Sequence, residues 1–231
     1  MLRYVRHNYC KNGEEVMGTS FCGVVIQTDT KDLDFMSVLT NLFNKEFIPI
    51  EKHCDCRDED CFFIAKTDKY LIVSNSKFVD EILQNNSSYN MDMIQKTFVP
   101  KFVFVFEEYD SGGTYSFAVI LDKKIVRKFR SITYEITVDE GELYEIESKW
   151  RSLPTKFMND EDYEHEKVYF HPDSETEFYT EESLPQLILH ELMNDKIGFD
   201  VHTLDEHIID SGFFKYKNND FIGKKWWQVW K

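Results

Sequence analysis

Residues 101–138 read KFVFVFEEYDSGGTYSFAVILDKKIVRKFRSITYEITV, and this stretch decides the fold class. Three runs rich in β-branched and aromatic residues are separated by short polar turns at 111–113 and 122–124. Such runs predict β-strands, and the glycines of the first turn permit the positive φ that a tight hairpin needs. The phase of the apolar residues shifts once near Arg130-Ser131, which predicts a β-bulge. The stretch therefore predicts an antiparallel meander.

Further elements flank the meander on both sides. Short β-rich runs predict strands, and apolar residues three and four positions apart predict amphipathic helices. The predicted strands cover 20–27, 47–52, 61–66 and 69–75. Four helices are predicted: one that Asp32 caps, one that Ser76 caps, and two that cover 183–193 and 204–209. Residues 85–90 are predicted to be a polar loop. The sequence thus predicts an α+β protein, mainly antiparallel sheet with flanking helices.

The length of 231 residues allows one large domain or two small ones. Met17-Gly18 directly precedes the first predicted strand, so residues 1–16 are expected to form an N-terminal extension. Residues 17–231 are expected to form a single α+β domain. A weaker division near residue 150 would separate a more acidic, helical C-terminal portion.

Composition excludes several classes of protein. Apolar residues make up 42% and aromatic residues 16%, which is enough for a core and argues against a disordered chain. No apolar run approaches the length of a membrane helix, and the first 16 residues lack the apolar stretch of a secretory signal. Five cysteines do not resemble an extracellular disulfide framework. We therefore expect a cytoplasmic protein with reduced thiols and no membrane association. We also expect no nucleic-acid binding, because the net charge is -15 and phosphate groups would be repelled.

The negative charge is concentrated in one region. Residues 135–210 contain 22 acidic and 5 basic residues, whereas the remainder contains 20 and 22 and ends in a basic, Trp-rich tail. Acidic residues that alternate with aromatic ones are typical of a solvated surface, or of a docking face for a basic protein partner. The candidate docking residues are Asp160, Glu161, Asp162, Tyr163, Glu164, Glu166, Tyr169, Phe178 and Tyr179.

A cysteine-rich loop at 53–61 is a candidate zinc site. Its potential ligands are His53, Cys54, Cys56 and Cys61. Thiolate sulfur and imidazole nitrogen suit zinc, although this spacing is not that of a standard finger or ribbon. The alternative is a polar loop with exposed thiols.

A second candidate metal site lies between His190 and His207. The sequence His190-Glu191-Leu192-Met193-Asn194 begins like a zincin helix, but Asn194 replaces the second histidine. His202 and His207 could supply further ligands. The alternative is a helix followed by a polar connection. Nucleophile-elbow, phosphate-loop and dinucleotide-binding motifs do not occur in the sequence.

The order of several short motifs resembles a family of small uncharacterised bacterial proteins. The motifs are Met17-Gly18, Leu42-Phe43, Phe117-Ala118-Val119, Ile125-Val126-Arg127, Gly141-Glu142, Trp150 and the helix that leads to Gly198-Phe199. The resemblance covers Met17 to Phe199 and implies an α+β domain without a known activity.

Two functions follow as expectations. The first is a non-enzymatic interaction protein that needs no cofactor and binds a basic partner through its acidic C-terminal half, as an immunity-type inhibitor does. The second is a metal-dependent enzyme or zinc-stabilised protein that uses the 53–61 loop or the His190–His207 region. The sequence leaves the oligomeric state open.

Overall fold

A computed structural model describes residues 3–4, 20–30, 32–51, 55, 57–85, 88–157, 167–170 and 177–217. The strands in this part of the chain are Arg3–Tyr4 (β1), Ser20–Gln27 (β2), Phe47–Ile50 (β3), Cys61–Lys66 (β4), Tyr70–Ser74 (β5), Phe102–Tyr109 (β6), Thr114–Leu121 (β7), Lys124–Ile132 (β8), Glu135–Gly141 (β9), Thr155–Phe157 (β10), Lys167–Phe170 (β11), Glu177–Thr180 (β12) and Asp210–Tyr216 (β13). The helices are Phe35–Phe43 (α1), Ser76–Asn85 (α2), Ser88–Phe98 (α3), Glu145–Arg151 (α4), Leu184–Ile197 (α5) and Leu204–His207 (α6).

Nine of these strands form one large antiparallel sheet. Its order is β3-β13-β4-β5-β2-β6-β7-β8-β9, so the meander β6–β9 forms one half. The strand β13 lies between β3 and β4 and pairs with both, so the C-terminal part of the chain completes the N-terminal half of the sheet. The α+β class and the central meander are confirmed.

The last part of the meander differs from the sequence prediction. The predicted run 125–138 is two strands, because Thr133 and Tyr134 form a tight turn with φ of 51° and 65°. Neither residue is a usual turn residue, so the sequence did not mark this turn. The expected bulge is present, since the β8–β9 register shifts between Arg130 and Ser131.

A second, four-stranded sheet has the order β1-β12-β11-β10. Its strands β10, β11 and β12 pair antiparallel, and β1 pairs parallel with β12. No strand was predicted here, because each of these strands is only two to four residues long. The described residues after 150 therefore contain the strands β10 to β13 in addition to helices at the two expected places.

Both faces of the large sheet are covered. Alternate side chains of β6 serve the two faces: Val103 and Val105 pack with residues of α1, α2 and α3, whereas Phe104 and Phe106 pack with residues of α4 and α5. Residues of the smaller sheet, for example Tyr169, belong to the core cluster on the side of α4 and α5. Within the described residues, no helix is long and apolar enough to cross a membrane.

Three helix starts correct the sequence prediction. The N-cap of α1 is Asp34 rather than Asp32. Asn75 rather than Ser76 caps α2, because its side-chain oxygen accepts a hydrogen bond from the Phe78 N–H at 3.0 Å. The helix α3 begins at Ser88, inside the expected loop, because its first turn carries polar residues that hide the apolar period. The helix α5 ends as expected at Gly198, which has a φ of 85°.

Candidate metal centre

Three potential metal ligands meet where β6 passes beneath α5. Glu108 comes from β6, His190 from α5, and His202 from the connection between α5 and α6. One ligand atom from each residue lies within 4.8 Å of the other two. Because Glu108 and His190 are 82 positions apart in the chain, only the packing of α5 on the sheet brings them together.

Glu108 faces α5 because of the alternation of β6. Its neighbour Glu107 points to the opposite face, where it accepts a hydrogen bond from the Ser116 hydroxyl at 2.9 Å. The side chain of Glu108 is fully buried. Its Oε1 accepts a hydrogen bond from Gln186 at 2.8 Å, and its Oε2 lies 2.8 Å from Nε2 of His190. A buried carboxylate needs such partners, because an unpaired one loses its hydration without compensation.

The connection after α5 places His202 next to His190. The two imidazole rings are 4.8 Å apart and nearly perpendicular. The carboxylate of Asp200 fixes this connection, because its Oδ1 accepts hydrogen bonds from the backbone N–H groups of His202 and Thr203 at 2.9 and 3.0 Å. Its Oδ2 accepts a further hydrogen bond from the Asn194 side chain at 2.8 Å. The position of His202 is therefore set by the end of α5 itself.

The two histidines have pKa values shifted in opposite directions. Burial lowers the pKa of His190, but the hydrogen bond and charge of Glu108, with smaller effects from Asp200 and Asp110, raise it above its ordinary value. Burial and the charge of His190 lower the pKa of His202. When the two histidines share one proton, the proton therefore stays on His190 beside Glu108, and His202 is neutral.

The residue types decide what this cluster can bind. Two imidazole nitrogens and one carboxylate oxygen are a ligand set found at catalytic zinc sites, where a water molecule occupies the fourth position. Magnesium and calcium prefer oxygen ligands alone. Gln186 donates a hydrogen bond to Glu108, and Asp200 accepts one from the backbone N–H of His202. Such partners orient the ligands at metal sites.

Hydroxyl and carboxylate groups lie beside the cluster. Asp110 accepts a hydrogen bond from the Tyr115 hydroxyl at 2.7 Å. Burial, with Asp110 and Glu108 nearby, raises the pKa of Tyr115 far above its ordinary value, so this hydroxyl remains a donor at every physiological pH. The charge of Asp110 favours the protonated form of both histidines. Additional negative charge therefore surrounds the cluster.

Sequence analysis found part of this site. His190 and His202 were candidate ligands of the second metal site, and the structure brings them together. His207 does not join them; its ring packs at 5.4 Å from that of Phe199. Glu108 was missed because its partners are far away in sequence. The available signal was the pair Glu107-Glu108 at the end of an otherwise apolar strand.

Of the candidate zinc ligands in the cysteine-rich loop, Cys61 lies within the described residues. Cys61 is the first residue of β4, is buried and is disulfide-bonded, which differs from the expected reduced thiol. A disulfide sulfur is not a thiolate, so Cys61 would be a zinc ligand only after reduction. His53, Cys54 and Cys56 lie outside the described residues. Zinc binding by this loop stays a prediction.

The expected docking face is also described in part. Tyr169, Phe178 and Tyr179 are only 6%, 2% and 7% exposed, and the ring of Tyr179 packs edge-on against Trp150. These three aromatic side chains therefore offer a partner little surface. The acidic members of the face and Tyr163 lie outside the described residues. Their role stays a prediction.

Comparison with known protein families, curated proteins and solved structures gives no match for this chain. The resemblance to small bacterial proteins therefore stays a prediction. The function has to be argued from the geometry of the chain alone.

Proposed function

We propose that this protein binds one zinc ion through Glu108, His190 and His202. The observation that carries the proposal is the convergence of these three ligand atoms within 4.8 Å. Imidazole nitrogen favours zinc or another late transition metal over magnesium and calcium. The buried carboxylate supplies negative charge that offsets the charge of the ion.

The chemistry of such a site follows from its three ligands. A tetrahedral ion with three protein ligands keeps one position for water, and zinc lowers the pKa of that water to about 7. The site therefore has the composition of a hydrolytic centre. The ion would also join β6 to the end of α5, so it would stabilise the fold by binding only the folded state.

Binding of zinc must displace the proton on His190. The ring nitrogen that faces Glu108 is the Nε2 atom, and it can bind the ion only when it is unprotonated. Because the pKa of His190 is raised, the proton competes with the ion at higher pH than at an ordinary histidine. We therefore expect zinc affinity to fall as the pH is lowered through this pKa.

The test is calorimetric titration of the purified, chelator-treated full chain with zinc. We expect one zinc ion per chain, and a loss of affinity of about 100-fold or more in His190→Gln and in His202→Gln, since even outer partners cost 10- to 100-fold. His207→Gln is the matched control, because His207 lies in the same region but outside the cluster. A wild-type chain that binds no zinc at this site, or a His202→Gln chain that binds it equally well, would overturn the proposal.

A further inference from the structure

The strand β9 forms an exposed edge of the large sheet. Among the strands that the structure describes, Glu135–Gly141 is the last in the order, and six of its seven residues are exposed. The opposite edge, β3, is four residues long and contains Pro49, which has no N–H to donate. Proteins protect edge strands by short length, proline, charged side chains, especially lysine, or β-bulges. The strand β9 has acidic side chains and the bulge opposite Arg130-Ser131. Within β9, neither proline nor lysine is present.

Apolar side chains are exposed beside this edge. Ile136 of β9 is 57% exposed, and Ile132 and Tyr134 before it are each 38% exposed. Leu143, directly after the strand, is 42% exposed. Ile132 and Ile136 belong to successive pairs of the β8–β9 ladder, so their side chains lie on opposite faces of the sheet. A partner strand on β9 would contact Ile136 directly.

A cavity of about 460 Å³ opens next to the start of β9. Tyr134, Glu135 and Ile136 form one wall, and Leu184, Pro185 and Ile188 of α5 form another. Phe129 and Tyr169 contribute aromatic rings. The volume is that of a pocket for a small ligand or a long side chain. A chain that paired with β9 would therefore pass along the cavity.

The solvent-facing charges of this surface are negative. Glu135 and Glu181 line the cavity and are exposed, and Glu140 and Glu142 are exposed at the far end of β9. Among the described residues that line the cavity, the cation is Arg151, which already binds Asp139 at 2.7 Å and lies over the Phe129 ring. The charge of Glu181 is partly offset by Lys167, whose Nζ atom lies 3.8 Å from its Oε1 atom. The surface therefore favours a basic ligand.

We propose that β9 and this cavity bind an extended basic segment of another protein, which adds to the sheet as a tenth strand. One arginine or lysine of the segment enters the cavity. Its apolar stem contacts Tyr134 and Ile136, and its charge approaches the carboxylates of Glu135 and Glu181. Backbone hydrogen bonds supply affinity and the cavity supplies specificity. The proposal does not depend on the zinc site.

Charge argues against a second copy of this chain as the partner. An antiparallel pair of β9 strands would place Glu135, Asp139 and Glu140 of one copy along the same acidic residues of the other. Like charges opposite one another destabilise a strand pair. A basic segment instead brings opposite charge to the exposed carboxylates of Glu135 and Glu140 and associates faster because of their field.

The test measures, by fluorescence anisotropy, the binding of a labelled seven-residue peptide in which arginine alternates with valine. The matched probes are two versions of this peptide that are N-methylated at alternate residues: one at the odd-numbered positions and the other at the even-numbered positions. N-methylation removes backbone donors and keeps the charge, so we expect one phase to weaken binding by about tenfold or more and the other to have little effect. Equal binding of all three peptides would show attraction by charge alone and would overturn strand addition.

Variants of the protein locate the contact. Glu135→Lys with Glu140→Lys should weaken binding of the unmodified peptide about tenfold or more, because these charges lie on the proposed surface. The control is Asp29→Lys with Asp68→Lys, which changes the net charge equally at exposed positions away from β9 and should change affinity by about twofold or less. Equal effects of the two pairs, no peptide binding, or a wild-type dimer that Ile136→Lys dissociates would overturn the proposal.

Discussion

The Nε2 atom of His190 lies 2.8 Å from the Oε2 atom of Glu108, whose side chain is completely removed from solvent. This pair joins the C-terminal end of β6 to the middle of α5. A histidine beside a buried carboxylate gains its proton more readily than a histidine in water. The same contact can therefore hold a proton or, once the proton has left, a metal ion.

Removal of the Glu108 charge should lower the pKa of His190. In Glu108→Gln, burial still lowers this pKa, and the carboxylate charge of Glu108 that opposes burial is absent. The pKa is read from the imidazole nitrogen shifts of metal-free protein by NMR. Glu107→Gln is the control, since Glu107 faces the opposite side of the sheet. An unchanged His190 titration in Glu108→Gln would contradict the electrostatic account of the pair.

The stabilisation that His190 provides should depend on pH. Its pKa is raised in the folded protein above the ordinary value of 6.5, so the folded state binds the proton more tightly than the unfolded state. This stabilisation is complete below the ordinary pKa and is lost as the pH rises through the raised pKa. In metal-free buffer, the free energy of unfolding of wild type relative to His190→Gln should therefore fall as the pH rises from below 6.5 through the raised pKa. Urea unfolding measures it, and a difference that grows with pH would be inconsistent with the raised pKa.

The buried pair of Arg127 and Glu147 should be costly to break. Both side chains are fully buried, and Nη2 of Arg127 lies 2.6 Å from Oε1 of Glu147. Glu147→Leu leaves a buried guanidinium with only Asp139 as a charged partner nearby, so we expect a loss of about 3 kcal/mol or more in the free energy of unfolding.

Urea unfolding checks this value, and Glu145→Leu on the exposed side of the same helix is the control. The double variant Arg127→Met with Glu147→Leu should lose less than Glu147→Leu alone, because no buried charge remains unpaired. A loss in Glu147→Leu of less than about 1 kcal/mol would contradict the importance of the pair.

Gly113 should not tolerate a side chain. Its φ is 57°, and a Cβ atom there would lie 2.6 Å from the ring of Tyr134. Gly113→Ala should therefore lower the free energy of unfolding by more than about 1 kcal/mol. In a Tyr134→Ala background the steric part disappears, so the cost should be smaller. Equal costs in the two backgrounds would mean that the backbone conformation alone is responsible.

The predictability of the fold depended on the length of each strand. The strands of the meander are seven to nine residues long, and their composition marked them. The strands β10, β11 and β12 have three or four residues, too few to show an alternating pattern. The turn at Thr133 and Tyr134 was missed because tertiary contacts hold it: the Tyr134 N–H donates to the Gly113 carbonyl at 3.0 Å.

The candidate site was only half predictable for a related reason. His190 in α5 and His202 in the connection after α5 lie 12 positions apart, so a local motif search could pair them. Glu108 joins them only through the packing of α5 on β6, and no local pattern encodes that contact. The pair Glu107-Glu108 also illustrates the limit, since the two acids point to opposite faces and have different partners.

The position of β13 has a consequence for how the protein is made. The strand β3 reaches the rest of the sheet only through β13, which is synthesised about 160 residues later. During translation, β4 therefore emerges from the ribosome with one side unpaired and must wait for residues 210–216. We expect the nascent chain to depend on chaperones until that point, and a chain released early to aggregate through the edge of β4.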